Sequence, residues 1–512
     1  FVKPTFYFRH AFQTGITQPI EWRIAQLNRL IDLLNEQEDA IVDALQQDLR
    51  KPKFETLMTE VIVAKNEATY AINNVHAWSK PTFPSKTFPQ LMDTVYIQKQ
   101  PLGVVLLIGA WNYPIQLLFN QLVAVIVSGN CGIIKPSELS PVTADLIAKL
   151  IPQYLDKECF KVYLGGIPET TLLLQQKFDK IIYTGSSMVG KIIMKAAAEH
   201  LTPVLLELGG KSPVYVHKDS NLDLVAKRVA WGKYMNLGQT CTAPDYVLCH
   251  GHVLEEFLNK LKSTIKEMYG EDPQKSPDLA RIVNARNFQR IEKLILGMSK
   301  EKLVVGGDMN EKTRYIAPTV YKDVHIGDPI MDSEIFGPIL PVLAVNGEDE
   351  AIEIINSSDK PLAFYIFAKS DKVVQKLLSN TSSGGATVND VLMHAAAYNL
   401  PFGGVGNSGM GAYHGKYSFD ALTHERSISY RGQNLESLVA ARYPPYTEKN
   451  LSMSNFFRKI NKLNWFRYGI IVAICNIKGI AILPIKFYSS LASVTAFLSC
   501  LKQHCNHHSC KH

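Results

Sequence analysis

Short apolar runs separated by stretches of helical periodicity dominate the chain between residues 95 and 210. The apolar runs lie at 103–109, 131–134, 160–164, 178–183 and 204–208, and the helical stretches at 115–127, 143–155, 169–176 and 187–200. Short continuous apolar strands that alternate with helices are typical of a parallel sheet covered by helices on both faces. The pattern predicts an α/β fold with a doubly wound sheet, which binds ligands at the carboxyl ends of its strands.

The flanking segments extend this organisation. Residues 19–50 place apolar side chains at helical spacing after the start signals Thr17 and Pro19, which predicts one long amphipathic helix. Alternating strands and helices resume from about 213 to 390. Residues 380–411 are rich in glycine and small side chains, and we expect them to form loops.

Composition and charge separate a body from a tail. The 512 residues are 46% hydrophobic and 20% charged, which excludes wholesale disorder and a fibrous protein. Residues 441–512 contain ten Lys or Arg and one acidic residue, so the tail carries +9 and the other 440 residues −2. A body without excess positive charge argues against nucleic-acid binding, whereas the tail suits an anionic lipid surface.

The tail also contains apolar stretches. A basic cluster at 458–467 precedes 468–485, which only Lys478 interrupts, and the uncharged stretch 487–501. We expect a C-terminal membrane contact with the body facing the cytosol. The alternative is a soluble tail that packs on the body or on a partner subunit. The His- and Cys-rich end, 504–512, matches no standard zinc module, so we predict no metal site and expect a disordered end.

Cysteine usage gives a first candidate for chemistry. The body holds Cys131, Cys159, Cys241 and Cys249 without disulfide-framework spacing, and no apolar signal peptide opens the chain, so a reducing environment is expected. Cys241 lies in NLGQTCTAPDYVL, a loop of small residues that leaves a thiol accessible. A nucleophilic role requires a depressed pKa; the alternative is a buried, inert thiol.

Two polar residues follow apolar strands. Glu207 comes at the end of a strand and before two glycines, a position suited to a general base. The alternative is that Glu207 caps a turn or pairs with Lys211. Asn112 in GAWNYP could donate to a developing oxyanion, or simply form the turn before Tyr-Pro.

Candidate cofactor residues follow other strands. The segment from Gly185 to Gly190, GSSMVG, joins a strand to a helix as a dinucleotide site would, or forms a plain turn. Lys135 and Glu138 could meet a phosphate and a ribose, or begin a helix with Ser137 as cap.

Two further motifs lie closer to the C-terminus. Glu334 and Phe336 in SEIFGP could bracket a sugar and a flat ring. The run PFGGVGNSGMG at 401–411 requires close backbone approaches, or is a flexible linker.

Taken together, seven motifs resemble the aldehyde dehydrogenase superfamily in order and spacing. They are GAWNYP, IIKPSELS, YTGSSMVG, ELGGKSP, GQTCTAPDY, EIFGP and PFGGVGNSGMG. The chain is most similar to class 3, and within it to the membrane-bound fatty aldehyde dehydrogenases. The resemblance implies a Rossmann-type cofactor domain (1–80 and 104–206), an α/β catalytic domain (207–410), a small β bridging element (81–103 and 411–440) that pairs subunits, and the tail (441–512).

The resemblance also implies roles for single residues. Cys241 is the nucleophile, Glu207 the general base for the hydrolytic water, and Asn112 with the Cys241 N–H the oxyanion hole. The cofactor, NAD or NADP, contacts Lys135, Glu138, Gly185, Ser186, Val189, Gly190, Glu334 and Phe336. The substrate side is formed by Asn389, Phe402 and Gly403 together with the run 403–411.

The implied activity is oxidation of medium- to long-chain aliphatic aldehydes to acids by a homodimer at a membrane, with the endoplasmic reticulum as the expected location. Two alternatives differ in class. One is a non-enzymatic membrane-associated binding protein on this fold, and the other is a relative that passes the acyl group to CoA.

Overall fold

The computed structural model describes residues 4–87, 90–434, 436, 439–448, 450–452 and 455. The helices of this part are α1 Pro4–Gln13, α2 Ile20–Glu36, α3 Glu38–Leu49, α4 Lys53–Thr56, α5 Ile62–Trp78, α6 Gln116–Val127, α7 Pro141–Tyr154, α8 Ile167–Leu174, α9 Ser187–Ala198, α10 Leu222–Tyr234, α11 Leu254–Tyr269, α12 Ala285–Leu296, α13 Glu348–Asn356, α14 Asp371–Asn380 and α15 Gly415–Ala421. A π-helical turn, Leu57–Val61, joins α4 to α5.

The strands of the described part are β1 Thr94–Pro101, β2 Val104–Ile108, β3 Cys131–Lys135, β4 Phe160–Val162, β5 Lys180–Gly185, β6 Val204–Leu208, β7 Pro213–Val216, β8 Tyr246–His250, β9 Leu303–Val305, β10 Met309–Asn310, β11 Tyr315–Ile316, β12 Thr319–Tyr321, β13 Ile339–Val345, β14 Ala363–Phe367, β15 Gly385–Val388, β16 Gly409–Met410 and β17 Thr423–Tyr430.

A six-stranded sheet forms the first layer. Its order is β16-β6-β5-β2-β3-β4, and all neighbours are parallel except β16, which runs antiparallel to β6. Every residue of β2 and β3 is buried, because α-helices cover both faces of such a sheet. This confirms the predicted doubly wound sheet and explains why its strands are apolar throughout.

A seven-stranded sheet forms the second layer. Its order is β15-β14-β7-β8-β13-β12-β9, parallel except where β9 meets β12. The strand β8 is buried along its whole length, and β14 likewise, so their apolar runs reflect cover on both faces. The two sheets belong to one compact unit, which comprises the described residues up to Lys80 and Lys99–His424.

A smaller unit comprises Pro81–Gln98 and the described residues from Glu425 onward. Within it, Thr82 and Ile97 exchange two backbone hydrogen bonds of 3.0 and 2.8 Å. Asp93 accepts hydrogen bonds from Arg431 Nε at 2.5 Å and from its terminal nitrogen at 3.0 Å. The Arg431 hydrogen bond holds the pKa of Asp93 below its usual value.

Two local predictions are wrong. The segment predicted as one helix over 19–50 is two helices, because Gln37 leaves helical geometry at φ −109° and ψ 17° between α2 and α3. The segment predicted as loop over 380–411 contains the strands β15 and β16, whose small residues pair at the sheet edges.

No helix among the described residues combines the length and the apolar character that crossing a bilayer requires. The candidate membrane segments 468–485 and 487–501 and the His- and Cys-rich end lie outside the described residues.

Candidate active site

The loop that carries Cys241 is held in an unusual backbone conformation. After α10, Asn236, Leu237 and Gly238 have φ values of 51°, 54° and 74°. A Cβ on Gly238 would lie 2.3 Å from the carbonyl oxygen of Gly337, so only glycine fits there. The side chain of Gln239 donates to Asn236 O and Arg281 O, both at 3.0 Å, and accepts from Val283 N at 2.9 Å. The loop is therefore tied to the body on several sides.

Cys241 is half-buried, and its pKa lies well above the ordinary thiol value. Burial is the largest cause, followed by the negative charges of Glu207 and Glu334. The depressed pKa that a nucleophilic role requires is therefore not found in the free protein, because the sulfur is buried and two carboxylates from distant segments converge on it. The thiol is protonated at neutral pH and needs a proton acceptor before it can attack.

Asn112 lies in the loop after β2 and is bonded directly to the loop of Cys241. Its side-chain Nδ2 donates to Gln239 O at 3.0 Å, two residues before the sulfur. Its backbone oxygen accepts from Lys51 Nζ and from Asn236 Nδ2, both at 2.9 Å. These contacts bring the predicted oxyanion donor and the predicted nucleophile into one constellation.

Glu207 occupies β6 between Thr184 of β5 and Gly409 of β16. Its side chain is buried, and neither carboxylate oxygen has a hydrogen-bond partner among the described residues. Burial raises the pKa of Glu207 to about 7, although the nearby Cys241 thiol and Thr184 hydroxyl lower it. A carboxylate with this pKa and no bonded partner is suited to take a proton at neutral pH.

Tyr413 also reaches this constellation, and no sequence signal singled it out beyond its place just after the glycine run. Its hydroxyl is buried without a partner among the described residues. Its pKa is raised well above the ordinary value by burial, then by the charges of Glu207 and Cys241. Phe402, a predicted substrate-side residue, packs edge-on against the Tyr413 ring at 5.5 Å and exchanges backbone hydrogen bonds with it.

The glycine run after Phe402 is a tightly folded loop rather than a flexible linker. A Cβ on Gly403 would lie 2.1 Å from Gly411 O, and one on Gly404 2.0 Å from Ser408 O. Gly409, at φ +146°, faces Glu207 across the strand pair. The glycines are required because backbone passes directly against backbone beside the carboxylate.

The segment from Gly185 to Gly190 forms the strand-to-helix connection that the sequence predicts. Ser186 caps α9 by accepting from Val189 N at 3.4 Å. A Cβ on Gly185 would lie 2.2 Å from the Tyr183 hydroxyl, and one on Gly190 2.9 Å from Leu208 Cδ2. The backbone N–H groups at the start of α9, where Ser186 and Met188 are exposed, suit an anion such as a phosphate.

Lys135 ends β3 and donates to Glu138 Oε2 at 2.8 Å. Lys135 is nearly fully buried, whereas the Glu138 side chain is 44% exposed. Burial raises the pKa of Glu138, but its hydrogen bonds, above all the one from Lys135, lower it further, so the net shift is downward. The alternative that these residues begin a helix is wrong, since α7 begins at Pro141 after Ser140.

Glu334 and Phe336 lie near Cys241 and the Asn112 loop, respectively. A Cβ on Gly209 would lie 2.0 Å from Glu334 Oε2, so this glycine, two residues after Glu207, makes room for the Glu334 carboxylate. Burial, and after it the negative charge of Asp245, raises the pKa of Glu334 to about 8. Phe336 has φ 46° and meets Trp111 edge-on at 5.3 Å, next to Asn112.

Asn389, predicted on the substrate side, uses its amide locally. Its Oδ1 accepts from Ala368 N, and its Nδ2 donates to Ala368 O, both at 3.1 Å. It follows β15 at φ 57°. These bonds hold the end of the neighbouring strand β14 and occupy both ends of the amide.

Comparisons with known proteins agree on one family. The model described as Aldehyde dehydrogenase family matches residues 9–428. Aldehyde dehydrogenase family 3 member A2 of Mus musculus is 47% identical over 475 residues, which cover 93% of this chain and 97% of that protein. "Aldehyde dehydrogenase, dimeric NADP-preferring" of Mus musculus is 49% identical over 441 residues, covering 86% and 97%.

Solved structures agree as well. The structure titled "Substrate bound state of Staphylococcus Aureus AldH" has a TM-score of 0.86 and 41% identity, covering 89% of this chain and 98% of that chain. The structure of 3,6-anhydro-L-galactose dehydrogenase in complex with NAP has a TM-score of 0.77 and 26% identity, covering 84% and 91%.

Proposed function

Because the chain belongs to the aldehyde dehydrogenase family, whose members oxidise aldehydes to carboxylic acids with NAD or NADP, we propose that Cys241, Glu207 and Asn112 carry out this reaction here. One observation carries the assignment. Glu207 is buried, and its carboxylate lies close enough to Cys241 that its charge raises the pKa of the thiol.

The first step forms a bond between Cys241 Sγ and the aldehyde carbonyl carbon. Glu207 accepts the thiol proton, since its own pKa of about 7 allows it to be ionised at neutral pH. The carbonyl oxygen becomes an alkoxide. Asn112 Nδ2 and the backbone N–H of Cys241 donate to this oxygen, and one such donor is typically worth about 2.7–4 kcal/mol.

A bound nicotinamide dinucleotide supplies the acceptor for the hydride that leaves the former aldehyde carbon. The chain's own task is to aim that carbon, which Cys241 does through its rigid loop. The product of this stage is a thioester on Cys241. Glu207 must first release the thiol proton to solvent. It then takes a proton from water, the water oxygen attacks the thioester carbon, and the C–S bond breaks to release the acid and the Cys241 thiolate, which regains a proton from Glu207.

The residues present fit the dinucleotide. The start of α9, with Gly185, Ser186, Val189 and Gly190, would hold the phosphates, since the backbone N–H groups of a helix N-terminus bind anions. Lys135 and Glu138 would hold the adenosine ribose.

Glu334 and Phe336 would hold the nicotinamide ribose and ring, with Gly209 leaving space beside the carboxylate.

We infer that the substrates are medium- to long-chain aliphatic aldehydes. The 47% identity to family 3 member A2 proteins over 93% of the chain supports this inference, together with the basic and apolar tail. The tail, 441–512, would contact a membrane and leave the body in the cytosol, and the relative named dimeric supports a homodimer.

The test is acid production from an aliphatic aldehyde with NAD or NADP and without CoA. We expect Cys241→Ser to lose activity by at least about a hundredfold, because an alcohol is a far weaker nucleophile than a thiol. Cys249→Ser, a change at a buried cysteine in β8, is the matched control and is expected to retain turnover. Equal rates for Cys241→Ser and wild type would refute the proposal, and acid formation only with CoA would favour the acyl-transfer alternative.

A further inference from the structure

A fully buried ion pair lies behind the Asn112 loop. Lys51 Nζ and Glu60 Oε1 are 2.5 Å apart, and both side chains are 0% exposed. Buried ion pairs add little net stability compared with apolar side chains of the same volume, because both charges must be desolvated. Stability alone therefore gives no reason for charge at this place.

The ammonium of Lys51 makes two further contacts with the loop. It donates to Asn112 O at 2.9 Å and lies 4.1 Å from the ring centroid of Tyr113. Hydrogen bonds from a charged donor are roughly twice as strong as neutral ones, and a desolvated cation over a ring adds to them. One cation thus holds two successive residues of the loop.

The carboxylate of Glu60 holds the other end of the same segment. Its Oε2 accepts from the backbone N–H groups of Ile115 and Gln116, at 2.9 and 3.1 Å, where α6 begins. Glu60 itself lies on the π-helical turn Leu57–Val61, a local irregularity that is frequent at functional sites. The ion pair therefore spans the loop from Asn112 to the first turn of α6.

We propose that Lys51 and Glu60 are positioning residues for the oxidation of aldehydes: they hold the backbone of Asn112 so that its side-chain amide meets the alkoxide oxygen. The proposal rests on the oxyanion role of Asn112. Asn236 supports the same carbonyl with its Nδ2 at 2.9 Å, and its own N–H donates to Glu55 Oε2 at 3.0 Å. Without the pair, Asn112 would keep its side chain but lose the anchoring of its backbone.

The experiment compares four forms of the full chain: wild type, Asn112→Ala, the neutral pair Lys51→Met with Glu60→Gln, and the triple variant. Neutralising both partners avoids leaving one charge buried alone. Lys99→Met is the matched control, since Lys99 is 9% exposed and pairs with Asp420 Oδ1 at 2.7 Å. The readouts are kcat and KM for an aliphatic aldehyde, the melting temperature, and the rate at which iodoacetamide alkylates the peptide containing Cys241.

We expect the neutral pair to lower kcat by about 10- to 100-fold, since small misplacements of catalytic groups cost up to about 10² in rate. Alkylation of Cys241 should stay within about twofold of wild type, because this reaction forms no oxyanion. The triple variant should have the same kcat as Asn112→Ala, since Lys51 and Glu60 act through Asn112. If the neutral pair does not fold, Lys51→Arg takes its place, because it keeps the charge but moves the hydrogen-bond donors. The same lowered kcat and unchanged alkylation rate are expected of it.

Three results would overturn the proposal. They are wild-type kcat in the neutral pair, a full additional loss in the triple variant, and an equal fall in the alkylation rate. Wild-type activity of Asn112→Ala would instead refute the oxyanion role itself, so failure of this inference can be told apart from failure of the proposed function.

Discussion

Glu207 lies directly opposite Gly409 in the antiparallel pairing of β6 with β16, and a Cβ on Gly409 would stand 2.2 Å from Leu206 O. The glycine run thus comes to within backbone contact of the strand that carries the predicted general base. Any side chain at residue 409 would push the two strands apart and displace the Glu207 carboxylate from Cys241, which would slow catalysis.

Gly409→Ala is expected to lower kcat by at least about tenfold and to lower the melting temperature, because its φ of +146° and the 2.2 Å approach both exclude a Cβ. Steady-state kinetics and thermal unfolding measure both effects. Gly327→Ala is the control, since nothing lies within 4 Å of a Cβ there. A Gly409→Ala enzyme with the kinetics of wild type would show that the strand pairing does not position Glu207.

Activity should rise with pH through the ionisation of Glu207. Its pKa of about 7, raised by burial, means that the base is protonated below neutral pH and ionised above it. We expect acid formation to increase across pH 6–8 with a midpoint near about 7. We also expect Glu207→Gln to lower kcat by about 10²–10⁴ at pH 8. A flat wild-type profile over this range would contradict the assignment of the base.

The same carboxylate should make stability depend on pH. Its pKa in the folded protein is about 7 against an ordinary 4.5, so the folded state binds the proton more tightly than the unfolded state. Stability therefore falls as pH rises from about 4.5 to about 7, by about 3 kcal/mol from this group. Glu207→Gln is expected to melt above wild type at pH 8, with a gap that narrows toward pH 5. The exposed Glu353→Gln serves as the control, and a gap independent of pH would contradict the prediction.

Cofactor preference should depend on Glu138. Its half-exposed carboxylate beside Lys135 would accept from a ribose hydroxyl of NAD and repel the 2′-phosphate of NADP. We expect Glu138→Gln to shift the ratio of kcat/KM for NADP to that for NAD by about tenfold toward NADP. Glu158→Gln, at an exposed residue, is the control. An unchanged ratio would mean that Glu138 does not contact the ribose.

The tail should act in membrane contact rather than in chemistry. A chain ending at residue 440 removes ten basic residues and one acidic residue. We expect it to oxidise a short, soluble aldehyde at the wild-type rate. It should also lose sedimentation with vesicles that contain about a third anionic lipid, because the basic residues that attract such a surface are gone. Sedimentation equal to that of the full chain would contradict the membrane role.

The sequence by itself determined the layered α/β architecture and the segments from which the site is built. Both follow from local patterns. Strands buried on both faces must be apolar throughout, which marks β2 and β3, and polar residues that follow such strands meet at one edge of a parallel sheet. Asn112, Lys135 and Glu207 were identified on this basis. The structure places Asn112 in the loop after β2 and the other two residues at the ends of β3 and β6, whereas their catalytic and binding roles stay predictions.

Only the tertiary structure decided the pKa values of the site residues and the contacts that hold those residues in place. The pKa of Cys241 is raised first by burial and then by Glu207 and Glu334, which are distant along the chain but converge on it, and desolvation and Coulomb energies depend on distance in space. For the same reason, no periodic pattern in the sequence indicates that Lys51 contacts Asn112 or that Tyr413 lies beside Glu207. Each of these pairs joins segments tens to hundreds of residues apart, whereas a pattern along the chain records only the burial of its own element.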